Sequence, residues 1–375
     1  MPLESPEFRT SLQKLLVGLI LILVPLTVFG FYVAVQGDSH MRQMNGENFR
    51  ALTLSAAEST SDYIATCVRD VSVIANSPGP MQAVALANRQ YERLSEEAVS
   101  AKINAIEQAW ESAQTDGLST KILTSDVAEQ LRRIRELNPT LLKITVADVT
   151  GATVAATERP MHYFQTDRES WRALASRSQG AIHVSDLRYG DQSRLYYVSI
   201  AYPILQEGTG RFIGAVTAMA DVSPLFAQLN RRQMGRTGRL FLAREDGTVI
   251  EAPGVTPAMH IKSEEYAAIR DALGSLRGRE TGYLYATLSN GQAYLMGFAD
   301  TGLKEAYPNL PWIVLASQEA RELNSPVRNM TAFALLVMIL ALLMLSLLGA
   351  YVFLHRKQEL EDIETPENKE TRVAA

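Results

Sequence analysis

Cysteine is almost absent from this chain. Cys67 stands alone, which excludes an intrachain disulfide and a cysteine-pair zinc site. Histidine is sparse as well: His40, His162, His183, His260 and His355 are scattered, and none forms an HExxH or HxxEH spacing. There is no GxSxG elbow and no P-loop. The nearest glycine patterns, Gly208-x-Gly210 and Gly235-x-x-Gly238, sit in turn contexts, where glycine is needed for backbone geometry. With no nucleophile paired to a base, neither an enzyme nor a cofactor is expected. A basic stripe is missing too. The net charge is −5, so nothing in the composition points to a nucleic-acid partner.

What the chain has in abundance is apolar sequence, unevenly placed. Leu15 to Val35 and Thr331 to Leu354 each run without a charged residue. A bilayer core about 30 Å thick needs about 20 such residues in a helix. Both runs are therefore expected to cross the lipid bilayer. Pro25 is acceptable in the first, because membrane helices tolerate proline where neighbours satisfy the freed carbonyl. The first run exceeds the length of a signal-peptide core and has no small-x-small exit, so an uncleaved anchor is expected. Nearby basic residues are almost balanced across the two runs. A basic-edged N-terminal anchor followed by a long segment nevertheless fits two passes with both termini cytoplasmic. The expected site is the plasma (inner) membrane of a bacterium, with the large domain extracytoplasmic.

Between the runs, the apolar period is first helical. Met41, Met44, Phe49, Leu52, Ala56, Tyr63, Cys67, Val71 and Ile74 recur at steps of three and four as one face of a long helix, stopped by Asn76-Ser77-Pro78. That face can pack along its own domain, serve as a dimer seam, or do both. Cys67 is expected there as a small buried hydrophobe. Val84 to Leu137 stays mostly helical, with a break near Gly117. The period then turns strand-like. Strands are expected over 142–147, 152–157, 180–186, 194–204 and 212–221, with a short helix at 170–176. A shortened version follows. Its strands are at 238–243, 248–250, 282–287, 292–298 and 311–316, its helix at 263–276, and a hairpin signal lies at Asn290-Gly291. The turns Asp148-Val149-Thr150-Gly151 and Glu245-Asp246-Gly247 occupy matching places in the two units.

The stretches DVTGATVAAT (148–157), YFQTDRESW (163–171), IHVSDLRY (182–189), YVSIAYPI (197–204), FIGAVTAMADV (212–222) and GRTGRLFLAREDGTVI (235–250) carry a resemblance in their order and spacing. Over roughly 37–325 the chain resembles the double Cache sensor domains of bacterial chemoreceptors and sensor kinases. The resemblance implies an α+β fold: a long stalk helix, then two PAS-like antiparallel-sheet modules, flanked by two transmembrane helices. The implied division is a cytoplasmic N-terminus at 1–14, a transmembrane helix at 15–36 and a stalk at 37–80. A membrane-distal module at 81–234 and a membrane-proximal module at 235–325 follow, then a transmembrane helix at 331–354 and a polar, disordered cytoplasmic tail at 355–375.

The same resemblance implies a small-molecule ligand in the distal module, with amine or carboxylate groups, and a likeness of Tyr163, Arg168, Trp171, Asp186, Tyr197 and Asp221 to the binding residues. The chemistry is coherent. An arginine fork holds a carboxylate, aspartates hold an ammonium, and aromatic walls exclude water. It also implies a homodimer. No output domain is recognised after the second run, so the expected role is a sensor acting through a separate signalling protein. The alternatives are an envelope protein-binding or scaffold protein, or a receptor fragment lacking its output domain.

Overall fold

The computed structural model describes residues 6–112, 116–165, 169–176, 181–190, 193–231, 234–252, 261–274 and 281–323, with scattered positions from 335 to 351. Gly46–Glu319 forms one compact unit, and residues 1–45 and 320–375 group as another. Helix α1 (Pro6–Ala75) opens the chain, followed by α2 (Pro78–Arg89), α3 (Glu96–Glu111), α4 (Asp116–Thr124) and α5 (Asp126–Leu137). Serines start α3 and α5: Ser95 Oγ accepts from the Ala98 N–H and Ser125 Oγ from the Ala128 N–H, satisfying donors that a helix start leaves open.

The first sheet is built from β1 (Leu141–Asp148), β2 (Thr153–Ala156), β3 (His183–Val184), β4 (Arg188–Gly190), β5 (Leu195–Leu205) and β6 (Phe212–Asp221). Helix α6 (Glu169–Ser176) is inserted after β2, and α7 (Ser223–Arg231) follows β6. The second sheet holds β7 (Arg239–Arg244), β8 (Val249–Glu251), β9 (Thr281–Thr287), β10 (Ala293–Asp300) and β11 (Trp312–Glu319), with α8 (Glu264–Gly274) after β8 and α9 (Leu303–Ala306) before β11. A short α10 (Ala320–Leu323) ends this stretch. The strand orders are β2-β1-β6-β5-β3 and β8-β7-β11-β10-β9, with every pair antiparallel. The two modules thus share one topology, as the repeated sequence pattern implies.

Within the compact unit, α1 supports both sheets. Phe49, Ala56, Ala57, Ile64, Cys67, Val71 and Ile74 are buried along it, with Thr53 and Thr60 buried among them. Each threonine hydroxyl donates back to its own helix, Thr53 to the Phe49 carbonyl and Thr60 to the Ala56 carbonyl. These bonds let two polar side chains sit in the core at little cost. Early in the unit α1 touches the second sheet. A Cβ added at Gly297 would lie 2.9 Å from the Phe49 carbonyl oxygen, and one added at Gly46 would lie 2.1 Å from the Tyr283 ring. Later it reaches the first sheet, where the Tyr63 hydroxyl donates to the Asp221 carbonyl at 2.7 Å and Asn138 donates to Asp70 at 2.7 Å.

The observed stripe differs from the expected one. Met44 is exposed, and Thr53, Thr60 and Ile64 take places that the apolar count assigned elsewhere. From Phe49 to Ile74 this face is buried within the compact unit, in keeping with the expectation that it packs along its own domain. The strand expected over 180–186 is reduced to His183–Val184, and an additional short strand, β4, follows it. Among the described residues no helix is long and apolar enough to cross a membrane. The runs 15–35 and 331–354 lie largely outside the residues whose side chains are described.

Two outcomes follow. Ile64 is fully buried between helix and sheets, so Ile64→Ala should lower the unfolding free energy by about 2–5 kcal/mol, measured by denaturant titration. A loss below about 1 kcal/mol would contradict the packing role given to α1. Burial, aided by the nearby Asp70 carboxylate, pushes the Cys67 thiol up to about 12. Because the thiolate is the reactive form, iodoacetamide at mildly alkaline pH should label Cys67 only after unfolding; fast labelling of the native protein would refute this.

Candidate functional site

Cross-strand partners in an antiparallel sheet share a face, so register decides which side chains meet. On the first sheet, one face carries Ile144 and Val146 of β1, Val216, Ala218 and Ala220 of β6, and Val198 and Ile200 of β5. Every one of them is completely buried. The other face carries Thr145 and Ala147, then Ala215, Thr217, Met219 and Asp221, then Tyr197, Ser199 and Ala201. Here burial is incomplete: Thr217, Met219, Asp221, Tyr197 and Ser199 are all partly open to solvent.

Aromatic residues close two sides of this open face. Trp171, from α6, packs on Ala147, Ala201 and Ala215 and meets the Phe212 ring edge-on at 5.6 Å. Tyr163 packs with Trp110, Ala152 and Ala156, its ring 5.7 Å from that of Trp110. Arg159 lies over the other ring of that pair, 4.6 Å from the Trp110 centroid. Burial, reinforced by Tyr91 and the Asp148 and Glu107 carboxylates, holds the Tyr163 hydroxyl well above the usual phenol range. It therefore stays protonated under ordinary conditions and can donate a hydrogen bond.

A short row crosses the open face at one end. Arg188 on β4 is opposite Tyr197 on β5, which is opposite Asp221 on β6. At about 4.8 Å per strand, the ends of the row are about 10 Å apart along the sheet. An exposed guanidinium, an aromatic ring and a carboxylate thus stand in line. Asp221 also has a structural task, since its Oδ1 accepts from the Ser223 N–H at 2.8 Å and so starts α7.

Of the residues expected at the site, Tyr163, Trp171, Tyr197 and Asp221 are brought to this one face. Arg168 lies outside the described residues. Asp186 is engaged elsewhere: its Oδ2 accepts from Arg244 Nη2 at 2.8 Å and Nε at 3.0 Å, and its Oδ1 accepts from the Leu187 N–H. It ties the first module to β7 of the second. The sequence pattern missed Arg188, Thr217, Met219 and Ser199. Alternation along β5 and β6 could have found the last three, but the place of Arg188 depends on β4 pairing with β5. Among the described residues, Glu107, Glu111 and His162 have metal-ligand spacing. Glu107 already accepts from the Phe164 N–H at 2.7 Å and contacts His162 Nδ1 at 3.2 Å, and no further feature there points to an ion.

A family model for the Cache domain, in its double form, matches residues 39–327. Among solved structures, the chain is similar to the sensory domain of the Campylobacter jejuni chemoreceptor Tlp3 with isoleucine bound (14% identity, 76% of this chain and 97% of that one, TM-score 0.48). It is also similar to the ligand-binding domain of the Pseudomonas aeruginosa PAO1 amino acid chemoreceptor PctC in complex with GABA (13% identity, 71% and 96%, TM-score 0.44). A third similar structure is the ligand-binding domain of the Pseudomonas fluorescens chemoreceptor CtaA in complex with L-isoleucine (14% identity, 76% and 97%, TM-score 0.45). No curated protein sequence matches the chain.

The double use of Asp221 is testable. Asp221→Ala should destabilise the fold by about 0.5–2 kcal/mol through loss of the α7 start, while Asp221→Asn should retain most of that stability. Thermal melting of both variants decides it, and equal melting of Asp221→Ala and the parent would remove the structural role.

Proposed function

Because the chain belongs to the Cache domain family, we propose that it is a membrane-anchored extracytoplasmic sensor that takes a small molecule on the open face of its first, membrane-distal sheet and signals through a separate partner protein. The observation that carries this reading is the contrast between the two faces of one sheet. One face is sealed with aliphatic side chains. The other is left half-open, small and polar, and flanked by Trp171 and Tyr163. Apolar walls with a few convergent polar groups are the usual composition of a small-ligand site.

The row Arg188–Tyr197–Asp221 supports a ligand with a carboxylate and an ammonium. A guanidinium fork matches a carboxylate, and the Asp221 carboxylate matches an ammonium. Arg168, between Tyr163 and Trp171 in the sequence, is the second candidate for the carboxylate. The two charge-free runs at 15–35 and 331–354 support anchoring by two membrane helices, with the intervening domain outside the cytoplasm.

A route for the signal is part of the proposal. The segment joining β3 to β4 bears Asp186, held by Arg244 of β7, and the Asn309 side chain donates to the Val184 carbonyl at 3.1 Å. Arg244 in turn pairs with Trp312 at the start of β11. A ligand that draws β4 towards β6 therefore pulls on the strand that leaves the second sheet at Glu319. Such a ligand shifts the signal only by its preference for one arrangement over the other.

The test is a thermal-shift screen of the detergent-purified full chain against amino acids, amines, organic acids and nucleobases, with calorimetry on each hit. A ligand that binds the native state raises the melting temperature by mass action. Arg188→Ala and Arg168→Ala are expected to weaken an amino-carboxylate hit by about tenfold or more in at least one of the two variants. Unchanged affinity in both, or a folded protein with no hit in any class, would move the assignment to an envelope protein-binding role.

A further inference from the structure

The two sheets can be superposed in register from their turns. The Asp148 N–H donates to the Ala152 carbonyl in the first module, and the Arg244 N–H donates to the Thr248 carbonyl in the second. The Gln165 N–H to Gly151 carbonyl bond has its counterpart in Ser263 to Gly247, both at 2.9 Å. Isolated bridges repeat as well, Ala152 with Phe164 and Thr248 with Lys262. Carrying this equivalence across the ladders places Ala147 with Ala243, Ala215 with Ile313, and Asp221 with Glu319. The partner of Asp221 on β5 is Tyr197, and the partner of Glu319 on β10 is Tyr294. A tyrosine paired with a carboxylate therefore recurs at the same register position of both modules. The backbone N–H of the acidic residue is held by a threonine each time, Thr140 through its carbonyl and Thr237 through its hydroxyl.

In the second module this pair borders a cleft of about 560 Å³, within the size range of small-molecule sites. Phe241, Val249 and Leu288 supply an apolar lining, and Tyr294 and Glu319 lie on the same wall set. Among the described residues, the two cations that line the cleft are already neutralised. Arg239 is paired with Glu265, a buried carboxylate that also accepts from Ser263 and Ser317, and Lys262 is paired with Asp246 at 2.7 Å. Burial pushes the Glu265 carboxyl up, but the Arg239 charge and its hydrogen bonds outweigh that and hold it below the usual range. Among the described residues, the charges left over are two carboxylates, Glu319 and Glu264, the latter accepting from Ser289 Oγ at 2.7 Å.

We propose that the second module has its own binding site, distinct from the open face of the first sheet, and that it takes a small organic monoamine: a protonated amine held by Glu319 and Glu264, with its apolar body against Phe241, Val249 and Tyr294. Aromatic and carboxylate groups together favour an ammonium over a neutral isostere, because a neutral group leaves the carboxylates without a counter-charge. The chain then senses two chemical inputs, one per module.

The test is isothermal titration of the full chain in lipid nanodiscs with phenethylamine, and with 2-phenylethanol as its uncharged counterpart. Saturable binding of the amine and none of the alcohol is expected. Glu319→Gln and Glu264→Gln should each weaken the amine by about tenfold. Their melting temperatures report that the fold is kept, and the use of two separate residues guards against a local folding defect in one. Glu129→Gln, which removes an exposed carboxylate of α5 that has no part in either site, should leave the isotherm unchanged. Equal binding of the alcohol, unchanged affinity in both Glu319→Gln and Glu264→Gln, or no saturable binding up to about 10 mM would each overturn the proposal. The amine result is independent of any hit on the first module, whose own test rests on Arg188 and Arg168.

Discussion

The buried stripe of α1 is the constraint on which the rest of the compact unit depends. A single helix face from Phe49 to Ile74 is the shared core wall of two sheets that do not pack on one another through their hydrogen-bonded edges. A sheet with one apolar face needs another layer to cover it, and α1 contributes to that layer for both modules, beside α2 and α5 on the first sheet. The contacts are close where the helix meets β10, and glycine is what permits this. Gly46 and Gly297 leave room for the Tyr283 ring and the Phe49 backbone, and any side chain at either place would have to displace them. Small and β-branched residues on the helix, Ala56, Ala57, Thr53 and Thr60, serve the same end.

Once α1 has taken one face of each sheet, the opposite faces are free to diverge. In the first module that face is small and polar, covered at one end by Trp171 and Tyr163 and part-open towards Met219, Asp221 and Tyr197. In the second it is packed with Phe241, Met296, Phe298 and Leu315 beneath Ile269 of α8, and a cleft opens at the end that carries Tyr294 and Glu319. One topology thus yields a broad open face in one module and an end cleft in the other. The difference comes from side-chain volume: Thr145 and Thr217 in the first sheet stand where Phe241 and Leu315 stand in the second.

Charge in the unit is distributed in keeping with this division. Asp186, Glu265 and Asp246 each have a basic partner and act in holding segments together. Lys262 draws the Asp246 carboxyl down to about 2 by a direct hydrogen bond, although both groups are well exposed and such a pair adds little to stability. Asp221 and Glu319 stand instead at the strand ends beside tyrosines, with no ion pair among the described residues.

Much of the architecture was legible in the sequence. The helical stripe broken at Ser77-Pro78, the switch to a strand period after Asn138-Pro139 and the repeated turn before Gly151 and Gly247 are all local signals. Hydrophobic period and turn chemistry depend on neighbours a few residues away. They determined the order of elements and the two-module plan. Tertiary structure alone decided which polar residues belong to the core, because Thr53 and Thr60 become core residues only when sheets cover them and their hydroxyls turn back to the helix. It also decided what Asp186 does. In the sequence Asp186 resembles Asp221, both being aspartates at strand margins. Arg244, which claims Asp186, lies 58 residues away, and only the docking of two modules brings them together. The pairing of Arg188 with Tyr197 and the recurrence of Tyr197–Asp221 as Tyr294–Glu319 are facts of strand register, and register is set by cross-strand partners that are distant in the chain.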